Sequence, residues 1–216
     1  MKKIAVILSG CGVCDGSEIH EAVLTLLHLS KNNAAYQCAA IDGEQTRVYN
    51  HKANAETGEK RNMLVESARI ARGNIIDVTK IDPKDYDAVI FPGGQGAALN
   101  LCSFAREHEN MNVRKEIETL ILKFHEAKKP VGAICIAPVA VAKALSKFKV
   151  NVTIGNDAGV ATCIRHWGAE HTNCKADEIC YDPKNLVVTT PAYMLGKNIA
   201  EIEPGIEKLV KKICSL

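Results

Sequence analysis

The sequence predicts an α/β protein: a doubly wound, mainly parallel sheet sandwiched by helices. Three observations carry this prediction. Short apolar runs rich in branched side chains, at residues 3–8, Ala88–Phe91 and Val131–Ile134, have the pattern of strands buried on both faces. Each run ends in a turn of small residues and is followed by helical spacing. Strand-like and helix-like segments alternate along the chain without a linker, repeat or low-complexity stretch, so residues 1–216 are read as one domain.

The elements follow in order. The strand at 3–8 stops at a polar, Gly-rich loop, 9–16, after which Ser17 offers an N-cap and Ile19, Val23, Leu26, Leu27 and Leu29 repeat with helical spacing. Residues 36–41 form a second strand, and 42–60, polar and aperiodic, a surface excursion. Residues 61–72 are helical, with Gly73 suited to the position just past the helix end. After Ala88–Phe91 comes Pro92-Gly93-Gly94-Gln95-Gly96, then helices at 97–106 and 113–127. Val131–Ile134 leads to Cys135 and a helix over 138–145. Short strands are expected near 150–154 and 185–189, and a last helix over 198–213, which Pro204-Gly205 should kink or divide.

Composition narrows the function classes. The 27 basic and 25 acidic residues leave a formal charge of +2, and the one basic cluster, 208–212, reads as the solvated face of the last helix. Neither a nucleic-acid footprint nor a membrane surface is indicated. The opening apolar run stops at Ser9-Gly10-Cys11-Gly12, too short for a signal peptide core, and no apolar stretch approaches the ~18 residues of a membrane span. Nine cysteines cannot all pair within one chain, so reduced thiols and a cytoplasmic location are expected.

In an open parallel sheet, sites form beyond the carboxyl ends of the strands, at the switch point. Three such ends carry unusual residues here. Gly132-Ala133-Ile134-Cys135-Ile136-Ala137-Pro138 has the small residues a sharp strand-to-helix turn needs, the geometry of a nucleophile elbow. A helix N-terminus beside the sulfur favours a thiolate, and Pro138 suits the first helical turn. A buried cysteine acting as a small hydrophobe is the plainer account. Pro92-Gly93-Gly94-Gln95-Gly96 can turn backbone N–H groups inward as an oxyanion nest, though alone it is only a turn. Asp15-Gly16-Ser17-Glu18-Ile19-His20-Glu21 puts Glu18 and Glu21 three apart, able to share a helix face. First-turn carboxylates often do no more than complement the helix dipole. Beside a thiol, one could shuttle protons.

Together these segments resemble the ElbB proteins, a branch of the PfpI and parkinsonism-associated deglycase superfamily with the class I glutamine amidotransferase-like fold. The resemblance spans nearly the whole chain. It rests on Ile7-Leu8-Ser9-Gly10-Cys11-Gly12-Val13, the 15–21 segment, Pro92-Gly93-Gly94, Cys135-Ile136-Ala137-Pro138 and Thr189-Thr190-Pro191-Ala192-Tyr193-Met194. It implies a flavodoxin-like sandwich, a homodimer, and a catalytic Cys135 close to Glu21, with Glu18 in the earlier slot of a Glu-x-x-Glu pair. It further implies a cofactor-independent glyoxalase, turning glyoxal into glycolate, and an older association with isoprenoid production. The chain departs from its wider superfamily at Ile136, where many relatives carry His, and at Thr153-Ile154-Gly155-Asn156-Asp157, where the deglycase histidine is missing. No late His-x-Glu exists for glutamine hydrolysis.

The resulting expectation is a small-aldehyde enzyme of low turnover. Cys135 forms a hemithioacetal, Gly93, Gly94 or Ile136 N–H groups meet the oxyanion, Cys11 lines the pocket, and Glu21 moves the proton. Neither metal nor cofactor is expected, since no phosphate-binding or dinucleotide Gly motif occurs. The alternative is a stress-protective redox sensor using an oxidisable Cys135. Cys11-Gly12-Val13-Cys14 lacks a second pair for zinc, because Cys163, Cys174 and Cys180 have the wrong spacing; it reads as loop thiols or, less readily, a resolving cysteine. His20, His166 and His171 are expected at the surface or satisfied. Tyr193 is expected to pack or wall the pocket, and Asn100 and Cys102 to be ordinary helix positions.

Overall fold

The computed structural model describes residues 1–216. Strand β1 (Lys3–Ile7) is the apolar opening run, and α1 (Ile19–Lys31) follows the first Gly-rich loop. Next come β2 (Ala35–Ala40), a short antiparallel hairpin β3 (Val48–Asn50) and β4 (Ala55–Thr57), α2 (Met63–Ile70) and β5 (Ile75–Asp77). Then follow β6 (Ala88–Phe91), α3 (Gln95–Leu99), α4 (Phe104–Glu107), α5 (Lys115–Glu126), β7 (Val131–Ile134) and α6 (Pro138–Ala144). The chain ends through β8 (Asn151–Val152), α7 (Ala158–His166), β9 (Glu170–His171), β10 (Cys180–Asp182), β11 (Val187–Thr190) and α8 (Ile199–Ser215).

The main sheet has seven strands in the order β10-β11-β7-β6-β1-β2-β5, and only the β10–β11 pairing is antiparallel. From β1 the chain steps outward through β2 and β5, then returns to the other side of β1 with β6. The strand order therefore reverses between β1 and β6, which makes their carboxyl ends the switch point of a flavodoxin-like fold. Alternation along each strand feeds two cores. Ala5, Ile7, Val89, Phe91, Val131 and Ala133 face one layer, together with α5 and α6. Ile4, Val6, Leu8, Ala88, Ile90 and Ile134 face the other, where α1 and α8 pack side by side.

Several sequence expectations need correction. The helix expected at 97–106 is two short ones, α3 and α4, because Asn100 is drawn into loop contacts instead of continuing the helix. The 42–60 excursion contains the β3–β4 hairpin, and the expected strand at 150–154 is reduced to β8, paired with β9 outside the main sheet. Edge strands β5 and β10 and helix α7 carry patterns too short or too polar to be legible. Pro204-Gly205 does not divide the last helix, since α8 runs unbroken from Ile199 to Ser215. Gly205 is there for a close approach: a Cβ would come 2.3 Å from the Ala176 carbonyl oxygen.

Candidate active site

The loops after β1, β6 and β7 meet at the switch point. At Cys135 the backbone φ is 61°, a left-handed conformation that an L-residue adopts at a cost of order 1–3 kcal/mol. Surrounding bonds hold it there. The Cys135 N–H donates to Thr190 O at 2.9 Å, extending the β7–β11 ladder by one residue, and Ala137 N–H donates to Ile134 O at 3.0 Å to close the turn. As a result the sulfur packs with the same core layer as Ile134, although strand alternation would send it to the opposite face. This is the elbow geometry.

Glu21 approaches from α1 and is fully buried. Its Oε2 accepts from Gly93 N–H at 3.0 Å, its Oε1 from Tyr193 N–H at 3.3 Å, and its carboxyl sits beside the Cys135 thiol. Gly93 is what lets the pair meet. A Cβ at that position would lie 2.5 Å from Cys135 Cβ and 2.6 Å from Glu21 Oε2. The next residue, Gly94, has φ +92°, and a Cβ there would strike the Glu18 backbone nitrogen at 2.3 Å.

The electrostatics differ from the expectation of a thiolate. Burial, with the Glu18 charge adding to it, pushes the Glu21 carboxyl up to about 8 against the pull of the Tyr193 and Gly93 N–H groups and the neighbouring Cys135 thiol. The Cys135 thiol is pushed well above its ordinary range, first by burial and then by the Glu21 charge, while backbone N–H groups of Gly94 and Ile136 pull it down. A short helix terminus does not outweigh the loss of solvent. At neutral pH the pair is therefore chiefly protonated, and the first charge it takes up is a single one shared between a carboxyl and a sulfur in contact.

The other expected site residues are distributed as follows. Glu18, not Ser17, caps α1: its Oε2 accepts from Glu21 N–H at 2.7 Å, and the two glutamates differ in role because one is turned back on its own helix. Ser17 instead ties the loop to the end of β1, its Oγ accepting from Ser9 N–H at 2.9 Å. Gly93 N–H is taken by Glu21, so Gly94 and Ile136 supply the amides that face the sulfur. Cys11 lies outside the cavity, bridged to Ser17 and close to Arg69 and Glu66; Val13 of the same loop reaches the cavity wall in its place. His166 is exposed, and His171 Nε2 accepts from Ile154 N–H at 3.3 Å.

Cys135 opens onto a cavity of about 480 Å³ with a mostly apolar wall that includes Val13, Glu18, Ile136, Tyr193 and Met194. Hollows elsewhere, around Val78 and Lys115 and around Asp82 and Lys129, are lined by no cysteine. Two features escaped the sequence reading. At the cavity edge Tyr193 Oη lies 2.8 Å from Nδ1 of the exposed His20, giving the mouth a polar rim. Asn100, taken for a plain helix position, is buried and donates to Ser9 O and Asp15 O, both at 2.8 Å, while its Oδ1 accepts from Thr46 N–H at 2.9 Å. It staples three loops around the site. A buried amide just past a glycine turn was the available signal.

The profile of the DJ-1/PfpI family matches residues 12–154. The chain is 45% identical to the human glutamine amidotransferase-like class 1 domain-containing protein 3, mitochondrial, over 99% of this chain and 83% of that protein. It is 44% identical to the mitochondrial ES1 protein homolog of Rattus norvegicus, over 99% of this chain and 84% of the relative. Among solved structures it is similar to an isoprenoid biosynthesis protein with an amidotransferase-like domain from Ehrlichia chaffeensis. That chain is 37% identical, with a TM-score of 0.93 and coverage of 100% of this chain and 99% of the other. The expected ElbB-type resemblance and the flavodoxin-like fold both stand. No helix is long and apolar enough to cross a membrane.

Proposed function

The chain belongs to the DJ-1/PfpI family, which includes glyoxalases, deglycases and stress-protective proteins, and on that premise we propose that it converts glyoxal or a similar small 2-oxoaldehyde to the hydroxy acid. The observation that carries the reading is the buried Glu21 carboxyl set directly beside the Cys135 thiol, which itself lines a small, mostly apolar cavity.

The steps use only groups in this chain. Ionisation of the pair leaves one negative charge, and with the proton on Glu21 the sulfur is the nucleophile. Sulfur adds to one aldehyde carbon, and the new alkoxide takes the Glu21 proton to become a hemithioacetal; the amides of Gly94 and Ile136, which face the sulfur, are suited to meet the charge that oxygen gains. The Glu21 carboxylate then removes the C–H proton of the hemithioacetal carbon and returns it to the neighbouring carbon through an enediol, giving a thioester of the hydroxy acid. Water cleaves the thioester, releasing glycolate and the free thiol. Overall, glyoxal and water become glycolic acid, with no external oxidant or reductant. Because little of the pair is ionised at pH 7, turnover is low.

The test is glyoxal consumption with glycolate measured as product. Cys135→Ala should reduce it to the uncatalysed background, and undiminished conversion by that variant overturns the proposal. The amides facing the sulfur equally suit an oxidised sulfur oxygen, which favours a second, stress-sensing reading. Selective oxidation of Cys135 by mild peroxide, with no aldehyde turnover, would select it. The proposal includes a homodimer. Ile19, Val23 and Leu27 support it, forming an apolar stripe on α1 exposed at 42–49% that a second copy would cover; a monomeric mass by light scattering would remove that part.

A further inference from the structure

Away from the cysteine, α1 and α8 bring His28, Glu203 and Glu207 together, their candidate ligand atoms all within 4.8 Å of one another. His28 is fully buried, and neither ring nitrogen has a hydrogen-bond partner. Its Nε2 lies 2.9 Å from Glu203 Oε1, yet that approach does not meet hydrogen-bond geometry, so proximity and satisfaction part company here. An unpartnered buried imidazole is destabilising by roughly 1–3 kcal/mol unless something completes it. Glu203, Glu207 and Lys211 follow one another at helical spacing on α8, and Lys211 Nζ reaches Glu207 Oε1 at 2.9 Å from the solvent side.

We propose that His28, Glu203 and Glu207 form a binding site for a divalent first-row transition-metal cation of the zinc type, joining α1 to α8. One imidazole and two carboxylates make a nitrogen–oxygen donor set that such cations accept, and the two carboxylate charges balance the ion. The carboxylates are about a third exposed, at 35% and 34%, so modest side-chain rotation can close the cluster to metal–ligand bonds of ~2.0–2.2 Å. On binding, Glu207 exchanges its ion pair with Lys211 for the cation, and water takes the remaining coordination position. The cation ties the helix that carries Glu21 to the C-terminal helix. This site is independent of the proposed chemistry at Cys135, and it differs from the Cys11-x-x-Cys14 pair, which offers no such donor set.

Cobalt(II), titrated into the reduced, full-length protein, is the probe, because its spectrum separates ligand types. The expected result is one equivalent bound, with visible d–d bands but no thiolate charge-transfer band from that equivalent, and a rise in Tm. Glu203→Gln with Glu207→Gln, both on the accessible side and away from the core, should weaken that equivalent by at least 10-fold and abolish the rise, while unliganded Tm changes little. His28→Gln serves as a third variant where it folds. A simple His28–Glu203 ion pair predicts no cation effect. Absence of binding, binding unchanged in the double variant, or cobalt bound solely with thiolate bands would each overturn the proposal.

Discussion

Helix α1 buries two titratable side chains, Glu21 in its first turn and His28 two turns later on the same face, and it treats them in opposite ways. Both oxygens of Glu21 accept backbone N–H groups, and the carboxyl meets a thiol as well. His28 has a carboxylate nearby and no hydrogen bond at all. Burial alone therefore does not mark a functional group. The buried acid is held neutral by lost solvent and the neighbouring Glu18 charge, while the N–H groups on its oxygens keep ionisation within reach, whereas a buried base left unpartnered marks a place for something else to complete.

The strongest way to break this comparison is Glu21→Gln, which keeps the shape but removes the titration. Dicarbonyl turnover should fall by ~10²–10⁴-fold. In the wild type the rate should rise with pH through about 8, as the pair takes up its charge; the Gln variant should lack that rise. Stability should move in the opposite direction. A carboxyl at about 8 in the folded chain and near 4.5 when unfolded binds its proton more tightly when folded, so its stabilisation is complete below pH ~4.5 and is lost as pH rises to about 8. The span corresponds to roughly 5 kcal/mol in the wild type and none in the variant. Denaturant unfolding at several pH values reads it, and parallel curves for the two proteins would contradict the assignment.

A smaller effect should come from Gly93→Ala. Its methyl group forces Cys135 and Glu21 apart, and about 1–3 kcal/mol of stability should be lost along with turnover. Chemical denaturation together with activity measurement checks both, and full activity in this variant would show that the contact is dispensable. The smallest expected change is for Tyr193→Phe. It removes the hydroxyl that meets His20 but leaves the Tyr193 N–H on Glu21, so KM should rise a few-fold while the rate profile keeps its rise near pH 8. A displaced profile would instead place the hydroxyl in the proton path.

Much of the fold was legible because its signals are local. Runs such as Ala88–Phe91 and Val131–Ile134 are short, branched and wholly apolar, and the glycines after the first and the Cys135-Ile136-Ala137-Pro138 segment after the second show where the backbone must turn. Edge strands β5 and β10 escaped because they are brief and only partly buried, so their patterns merge into loop sequence. At the site, Cys135 and Glu21 were identifiable from position and resemblance. Spacing alone could not tell Glu18 from Glu21, since it puts them on one face; the resemblance favoured Glu21, and the cap geometry that turns Glu18 back on its helix supplies the physical reason. His28 drew no notice inside an apolar helical stretch; its partners come from the far end of the chain.

By itself, then, the sequence determined the alternation of strands and helices, the two Gly-rich turns after β1 and β6 and the residue at the elbow, because periodicity and backbone freedom are properties of neighbouring residues. The tertiary structure alone decided that the Cys135 sulfur and the Glu21 carboxyl meet in a buried contact, and that His28 meets two carboxylates from α8. Ionisation and ligation depend on what surrounds a group in space, on lost solvent and on partners delivered by distant segments, and no local pattern encodes them.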